Sequence, residues 1–337
     1  MGTTGSKKQI LCIVLFLGLI SLIIVYVSNP ISFTSFPSLN TETETNSCTI
    51  VTYKQLDEWF HSTNNNKSRK TITKIIHQSW KTEILRGKQA LWSKTWCEQY
   101  PKWHYRLWTD VDNDQFVKDK FPWFYLTYQE LYPTILKADS VRYLYMLYYG
   151  GMYIDLDYES VKSLEHIIFD KQLVFALLNY NFDSLNSIPN SWFASKPKHS
   201  LWSYVIFRIM LKWTKIDSEK TGFWNGKAEF YTGPQALFEG LLFYMQYIEQ
   251  TSDNFNNRLI HSNENRTMSI GDITFLPPNF LNAYDWMTGI GQDYCSSEKY
   301  SFNPTKCKEL LKPIYGITYW AHSYGHGHEN DTNYLRH

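Results

Sequence analysis

The sequence predicts an α/β protein in which helices flank a single mixed sheet. Strand-like and helix-like patterns alternate along the chain from residue 72 onward, as they do where helices pack on a sheet. Residues 135–148 repeat apolar side chains with the period of a helix, and Gly150 and Gly151 supply a helix stop. Residues 152–157 then alternate with the period of a strand.

The remaining elements are predicted from local patterns, in chain order. The first strand covers 72–80 and is followed by a helix over 90–100, which Pro101 ends. A second strand and a second helix cover 103–108 and 111–120. Later strands are expected over 173–178, 274–278 and 317–320, and later helices over 201–213 and 238–248.

The start of the chain predicts a membrane anchor. Residues 10–27 carry no charge and are long enough to span a thin bilayer, and Lys7 and Lys8 precede them. The positive-inside rule then places residues 1–9 in the cytosol and the bulk of the chain in a lumen. A cleaved signal peptide is the alternative interpretation, although the apolar run is long for one.

Composition after the anchor predicts a stem and one folded domain. Residues 28–70 are rich in Ser, Thr and Asn and lack a sustained apolar period, so they are expected to form the stem. A short helix is expected within it, near 49–60. Residues 71–337 are expected to form the folded domain.

Overall charge and aromatic content narrow the function classes. Lys plus Arg number 33 and Asp plus Glu number 32, a formal net charge of +1, so no basic excess indicates nucleic acid as a partner. Aromatic residues make up 17% of the chain, with 13 Trp and 25 Tyr. Aromatic faces stack on the C–H faces of sugars, although most aromatic residues of any protein belong to its core.

The five cysteines predict disulfides in an oxidising compartment. Cys12 lies in the predicted span, and the even number that remains favours two bridges. Three pairings of Cys48, Cys97, Cys295 and Cys307 are possible. Cys295 with Cys307 is the best single choice, because this bridge closes a short loop.

Two carboxylates at the end of the strand 152–157 indicate a cation site. On a strand, Tyr153, Asp155 and Asp157 project to one side, and the Cα atoms of the two Asp residues lie roughly 6–7 Å apart. A hard divalent cation accepts carboxylate and phosphate oxygens alike, so the pair suits a substrate with a diphosphate leaving group. An isolated Asp-x-Asp is more often a solvated strand end, but the preceding helix and glycines favour the site.

The pattern AD-x2-R-x7-GG-x-Y-x-D-x-D over 138–157 resembles the signature of the DXD glycosyltransferases. The most similar group contains the yeast initiating α-1,6-mannosyltransferase and the inositolphosphorylceramide mannosyltransferases. Further stretches agree with this group: KIIHQSW at 74–80, YRLWTD at 105–110, FPWF at 121–124 and YTGP at 231–234. The resemblance covers about residues 71–235.

This resemblance implies a GT-A fold with a Rossmann-like sheet, a GDP- or UDP-hexose donor, Mn²⁺ or Mg²⁺, and retention of anomeric configuration. It also implies transfer of a hexose, with mannose as the favoured sugar, to a glycan or glycolipid. Residues 71–337 would then be a lumenal catalytic domain on a single-pass type II protein of the Golgi or endoplasmic reticulum membrane. A front-face route and a double displacement through a carboxylate both remain open for the reaction.

The resemblance also assigns residues to the donor. Asp139 and Arg142 share one helix face and are expected to contact the donor sugar and phosphate, for which a planar guanidinium is suited. A solvent-exposed ion pair is the alternative for these two. Trp80 is expected to stack on the nucleotide base, and Tyr153 to line the donor site. Asp110 either hydrogen-bonds the nucleotide or caps the next helix.

Two further places are expected near the transferred sugar. Asn190 matches a polar position of the family, although an Asx turn after Pro189 is the alternative. Residues 232–234 are expected to form a turn on the acceptor side. His77 and Gln78 are candidates for the pocket around the base, although a lone histidine is more often a satisfied core residue.

The expected metal ligands are Asp155, Asp157 and one histidine. The C-terminal stretch of this chain departs from the His-containing pattern of the family, so the histidine is chosen among neighbours. His322 is the predicted third ligand, with His326 and His328 as alternatives.

Two other function classes compete with a glycosyltransferase. One is a non-catalytic lumenal carbohydrate-binding protein on the same fold, against which the intact motif argues. The other is a metal-dependent phosphohydrolase, which shares the carboxylate and cation but needs further Asp or His ligands for a second metal.

The lumenal orientation predicts N-glycosylation. Three N-x-S/T sequons occur, at Asn66, Asn265 and Asn330. Glycosidase treatment of protein made in eukaryotic cells is expected to lower its apparent mass. The apparent mass of a variant with Asn→Gln at all three positions should not change on this treatment. An untreated wild-type chain that already runs with the triple variant would contradict this orientation.

Overall fold

The structure is a computed structural model that describes residues 47–63, 70–179, 187–219, 228–247, 266–285 and 288–321. Its strands are β1 (Thr49–Ile50), β2 (Ile75–Ser79), β3 (His104–Trp108), β4 (Gly151–Ile154), β5 (Tyr158–Ser160), β6 (Leu173–Ala176), β7 (Trp192–Ser195), β8 (Met268–Ile270), β9 (Ile273–Leu276) and β10 (Gly316–Thr318). Eight of them form one mixed sheet in the order β1-β3-β2-β4-β7-β6-β9-β8, and β10 pairs with β5 in a second sheet.

Helices connect most of these strands. Within the described residues they are α1 (Tyr53–Thr63), α2 (Gly87–Gln99), α3 (Asp110–Lys120), α4 (Pro122–Glu130), α5 (Thr134–Tyr148), α6 (Glu165–Ile168), α7 (Ser200–Glu219), α8 (Ala228–Tyr231), α9 (Pro234–Tyr247), α10 (Pro278–Leu281), α11 (Gln292–Cys295) and α12 (Pro304–Leu311). Six of these twelve helices, α1, α2, α3, α5, α7 and α9, overlap the predicted helical segments, with ends that differ by up to six residues.

Side chains alternate along the strands between two buried clusters, one on each face of the sheet. On β4, Tyr153 lies in one cluster, whereas Met152 and Ile154 lie in the other. The first cluster contains residues of α1, α3, α4, α5, α7 and α9, and the second contains residues of α2, α6 and α10. The predicted α/β class, with helices flanking a mixed sheet, is therefore confirmed.

Three parallel neighbours of the sheet end at the same edge, which we call the carboxyl edge. β2 pairs in parallel with both β3 and β4. Trp80 follows β2, Asp110 follows β3 by two residues, and Asp155 follows β4. β7 is antiparallel to β4 and starts at this edge, which places Asn190 there as well. Open α/β sheets bind ligands at this kind of edge.

Two glycines let α5 turn directly into β4. The N–H of Gly150 donates to the carbonyl of Met146 at 3.1 Å, and its φ is 63°. A Cβ on Gly150 would lie 2.4 Å from the nitrogen of Pro197, and one on Gly151 (φ 100°) would lie 2.6 Å from the oxygen of Ile75. The predicted helix stop is thus confirmed, since no other residue fits these conformations and contacts.

The folded part of the chain begins before residue 71, earlier than predicted. β1 pairs with β3 through Thr49 and His104, and Leu56 and Phe60 of α1 are buried in the core. Residues 48–63 therefore belong to the sheet domain rather than to a stem that ends at residue 70. A strand of two residues is too short to show alternation, so the sequence carries no strand signal there.

Two disulfides stabilise the domain. Cys48 joins Cys97 of α2, and Cys295 of α11 joins Cys307 of α12, which confirms the predicted short-loop pairing. Within the described residues, no helix combines the length and apolar character needed to cross a bilayer. The predicted span at 10–27 lies outside these residues, as do Cys12 and the sequons at Asn66, Asn265 and Asn330.

Alanine substitutions at Gly87 and Gly150 distinguish the energetic cost of a positive φ from the additional cost of a steric clash. Gly87 also has a positive φ, 55°, but no atom lies within 4 Å of a Cβ built on it. We expect Gly87→Ala to lower the free energy of unfolding by about 1 kcal/mol, and Gly150→Ala by about 3 kcal/mol or more, because Gly150 also meets backbone. Denaturant unfolding measures both, and equal costs would contradict the tight turn at Gly150.

Candidate functional site

The guanidinium of Arg142 joins three parts of the chain at the carboxyl edge. From α5, its Nη2 lies 3.1 Å from Asp139 Oδ1, and its Nη1 lies 3.2 Å from Asp155 Oδ1. Nη1 also donates to the backbone oxygen of Asn190 at 2.8 Å, and Nε donates to the oxygen of Ala138 at 3.4 Å. Only 6% of Arg142 is exposed. The alternative of a solvent-exposed pair is therefore wrong, since the ion pairs are shielded from water.

Asp139 is fixed by hydrogen bonds from two distant segments. Asn190 Nδ2 donates to its Oδ1 at 2.9 Å, and Thr232 Oγ1 donates to its Oδ2 at 3.2 Å. Burial raises the pKa of Asp139 to about 6, although the charge of Arg142 opposes the rise. The sequence placed Asn190 here but assigned Thr232 only to a turn, because a hydroxyl in that turn carries no signal of a partner 93 residues away.

Tyr153 supports Asp155 from inside the fold. Its hydroxyl donates to Asp155 Oδ1 at 2.7 Å, and the guanidinium of Arg142 lies 4.6 Å from its ring centre. Gln78 Nε2 donates to the backbone oxygen of Asp155 at 3.4 Å, and the N–H of Asp155 donates to the oxygen of Ser191 at 2.8 Å. Only 2% of Tyr153 is exposed. Tyr153 thus positions Asp155, and its expected place in the donor site stays a prediction.

Asp157 is held from the other side, by the C-terminal part of the chain. The N–H of Ala321 donates to Asp157 Oδ2 at 3.0 Å, and the N–H of Tyr319 donates to its backbone oxygen at 3.0 Å. Asp157 Oδ1 is buried and accepts no hydrogen bond within the described residues. Such an orphaned oxygen is costly in a folded protein unless a ligand satisfies it.

The charges at this edge do not balance. With all three carboxyl groups ionised, Asp139, Asp155 and Asp157 face one guanidinium, that of Arg142, so two negative charges would stay uncompensated among these four side chains. Burial raises the pKa of Asp157 to about 8, and the neighbouring Asp155 adds to the rise. Burial also raises the pKa of Asp155, against the opposing charge of Arg142. One divalent cation would supply the two missing positive charges.

The donor set fits Mn²⁺ or Mg²⁺. Carboxylate oxygens are ligands that both cations prefer, and Asp157 Oδ1 has a vacant lone pair. Within the described residues, no three His, Cys, Asp or Glu side chains converge as a complete metal site. His322 directly follows Ala321 but lies outside the described residues, as do His326 and His328.

Trp80 and Asp110 lie on the carboxyl edge outside this cluster. Trp80 is half-buried, and its N–H donates to the oxygen of Trp108 at 2.9 Å. Asp110 is exposed and is the first residue of α3, whereas Thr109 caps that helix by accepting from the N–H of Asp112. The capping alternative for Asp110 is therefore wrong. No hydrogen bond joins either residue to Arg142 within the described part of the chain.

His77 is a core histidine, as the more frequent alternative predicts. Trp108 Nε1 donates to its Nδ1 at 3.0 Å, so Nε2 carries the proton and donates to the oxygen of Gly150 at 2.9 Å. Burial lowers the pKa of His77 to about 3, which keeps the ring neutral. It supports the turn between α5 and β4 rather than lining a pocket.

Residues 88–174 match the family model described as "Glycosyltransferase sugar-binding region containing DXD motif". Over 147 residues the chain is 33% identical to "Mannosyl phosphorylinositol ceramide synthase CSH1" of Saccharomyces cerevisiae, which covers 44% of this chain and 38% of that protein. It is 38% identical over 113 residues to "Inositol phosphoceramide mannosyltransferase 3" of Schizosaccharomyces pombe, or 33% of this chain and 31% of that protein.

A third relative is more distant but aligns over a longer stretch. The chain is 23% identical over 220 residues to "Initiation-specific alpha-1,6-mannosyltransferase" of Candida albicans, which covers 56% of this chain and 57% of that protein. The chain thus spans less than two thirds of each of these three relatives.

The matched residues include α5, β4 and the carboxylates of Asp155 and Asp157, which the structure brings together around Arg142. The resemblance predicted from the sequence is therefore confirmed, since residues 88–174 match the family of glycosyltransferase sugar-binding regions that contain the DXD motif.

Proposed function

We propose that the chain is a metal-dependent glycosyltransferase of GT-A type, which moves a hexose from a nucleotide-diphosphate donor with retention of anomeric configuration. One observation carries the proposal. Inside the region that matches the DXD family, Arg142 holds the buried Asp139 and the half-buried Asp155 in one cluster at the carboxyl edge. The uncompensated negative charge of this cluster supports a divalent cation, and the family match supports the transfer of a sugar.

Asp155 and Asp157 would hold the Mn²⁺ or Mg²⁺, and His322 is the proposed third ligand. When bound, the cation neutralises the negative charge that builds on the departing diphosphate. The orphaned Oδ1 of Asp157 supports this assignment, because a cation would give that buried oxygen a partner.

Arg142 acts mainly by positioning the carboxylates. A guanidinium has five N–H groups, and the four contacts to Ala138, Asp139, Asp155 and Asn190 leave one for a donor oxygen. A bidentate grip on phosphate would require Arg142 to release one of these four contacts. Fixed side chains need no rearrangement as charge develops, so the rate enhancement is expected to come from positioning and electrostatics rather than from a strong base.

Mannose and a glycolipid or glycan are the proposed sugar and acceptor. Two of the relatives are named for mannose transfer to inositol phosphoceramide or its mannosylated product, and the third for α-1,6-mannose transfer. Trp80, half-buried at the end of β2, is the proposed platform for the GDP or UDP base. We place the protein in the Golgi or endoplasmic reticulum membrane as a type II protein, on the basis of residues 10–27.

A direct test uses the full chain in detergent. The protein is incubated with Mn²⁺ and, separately, GDP-mannose, UDP-glucose or UDP-galactose, with inositol phosphoceramide or a mannose oligosaccharide as acceptor. Mass spectrometry of the acceptor should show one added hexose with GDP-mannose. Saturable binding of the oligosaccharide without turnover of any donor would favour the non-catalytic carbohydrate-binding alternative.

Asp155→Asn and Asp157→Asn each remove one charge while keeping the shape of the side chain. We expect kcat/KM to fall by about 100-fold or more, because the cation is lost or binds weakly. Tm in the absence of metal should be maintained, since fewer like charges remain buried. Asp170→Asn is the matched control, because Asp170 is 53% exposed and pairs with Lys171 on the surface of the described part of the chain. Activity that survives both site variants and EDTA would overturn the metal assignment.

Arg142→Lys keeps the charge but cannot reach all of the acceptors that the guanidinium meets. Losing charge-assisted contacts of about 1.5–3 kcal/mol should lower kcat/KM roughly ten- to hundredfold. Arg208→Lys is the control, because Arg208 also binds one carboxylate through two nitrogens, at Glu239, but is 36% exposed. Melting curves show whether any loss of activity reflects a loss of stability. Unchanged kinetics in Arg142→Lys would contradict the proposed role of Arg142 in the site.

A further inference from the structure

The C-terminal segment, residues 288–321, reaches the site through hydrogen bonds to Asp157. It contains α11, α12 and β10, and its buried side chains form a separate small core with Trp92 of α2. The disulfide between Cys295 and Cys307 lies in this core. The segment is therefore packed around a small core that it shares with α2 and Tyr284.

Glu159 is the point at which this segment meets the strand that follows the two aspartates. β5 pairs with β10 in antiparallel register, with Tyr158 opposite Thr318. Glu159 Oε1 forms an ion pair with Lys308 of α12, and its Oε2 accepts a hydrogen bond from the hydroxyl of Tyr319. Both oxygens of one carboxylate are thus bound by two different parts of the C-terminal segment.

The backbone beyond β10 is fixed by aromatic packing. The ring of Tyr319 stacks on Trp92, with centroids 4.9 Å apart and planes at 26°. The indole N–H of Trp320 donates to the oxygen of Tyr284 at 2.7 Å. With Tyr319 and Trp320 held in this way, the N–H of Ala321 is directed at Asp157 Oδ2. A shift of this backbone would remove the one hydrogen bond that the Asp157 carboxylate receives from residues 288–321.

We propose that Glu159, Lys308 and Tyr319 are positioning residues, which set the cation affinity of the site by holding the Ala321 amide against Asp157. The inference rests on the proposed cation site at Asp155 and Asp157. Removing a side chain that orients a metal ligand without touching the metal typically lowers metal affinity roughly ten- to hundredfold. None of these three side chains needs to touch the cation or the donor for this effect.

The test measures Mn²⁺ binding to the full chain without donor, by electron paramagnetic resonance of free Mn²⁺. Lys308→Met removes the ion pair, and Tyr319→Phe removes only the hydroxyl while the ring stays stacked. Each is expected to weaken Mn²⁺ binding roughly tenfold. Lys299→Met is the matched control, because Lys299 pairs with the exposed Asp293 in the same segment and does not reach β5. Its Mn²⁺ affinity should equal that of the wild type.

Mn²⁺ binding to Asp157→Asn, measured in parallel, distinguishes failure of the proposed cation site from failure of the proposed positioning role. If Asp157→Asn leaves Mn²⁺ binding intact, the proposed cation site is wrong and the inference falls with it. If Asp157→Asn weakens binding but Lys308→Met and Tyr319→Phe bind like Lys299→Met, the site stands and the positioning role is wrong. Faster hydrogen exchange at residues 316–321 in Lys308→Met and Tyr319→Phe, with unchanged Tm, is the expected structural signature.

Discussion

The buried guanidinium of Arg142 is the interaction on which the carboxyl edge depends. It is the single positive charge among four ionisable side chains, and it links α5, the end of β4 and the approach to β7. Without it, the buried Asp139 and the half-buried Asp155 would be neighbouring like charges with no opposing charge, which is unfavourable. The tight glycine turn between α5 and β4 serves the same purpose, because it brings the helix that carries Arg142 directly against the strand that carries Asp155.

The two aspartates of the motif are supported by different parts of the chain. Asp155 is bound by Arg142 and Tyr153, which both lie within the family-matched region. Asp157 receives its hydrogen bond from Ala321, far outside that region. One support is a set of side chains in the core and the other is a backbone amide, so the two carboxylates respond to different changes in the protein.

Local periodicity explains which features the sequence predicts well. The alternating and helical patterns of residues 135–157 arise from the packing of one strand and one helix, and they locate Asp139 and Arg142 on one helix face and Asp155 at the strand end, as observed. Contacts made across the fold leave no such pattern. Thr232 reaches Asp139 because α8 packs beside α5, and a backbone amide such as that of Ala321 has no residue identity to recognise. The two-residue β1 is missed for a simpler reason, its length.

The hydrogen bond between Ala321 and Asp157 joins residues 164 positions apart, which has a consequence for biosynthesis. A chain grows from its N-terminus, so Asp139, Arg142 and both aspartates leave the ribosome long before β10 exists. A nascent chain that has folded its sheet through β9 still presents Asp157 to water without its amide partner. The hydrogen bond to Asp157 can thus form only after Ala321 has been synthesised, and the disulfide-linked helices α11 and α12 precede Ala321 in the chain.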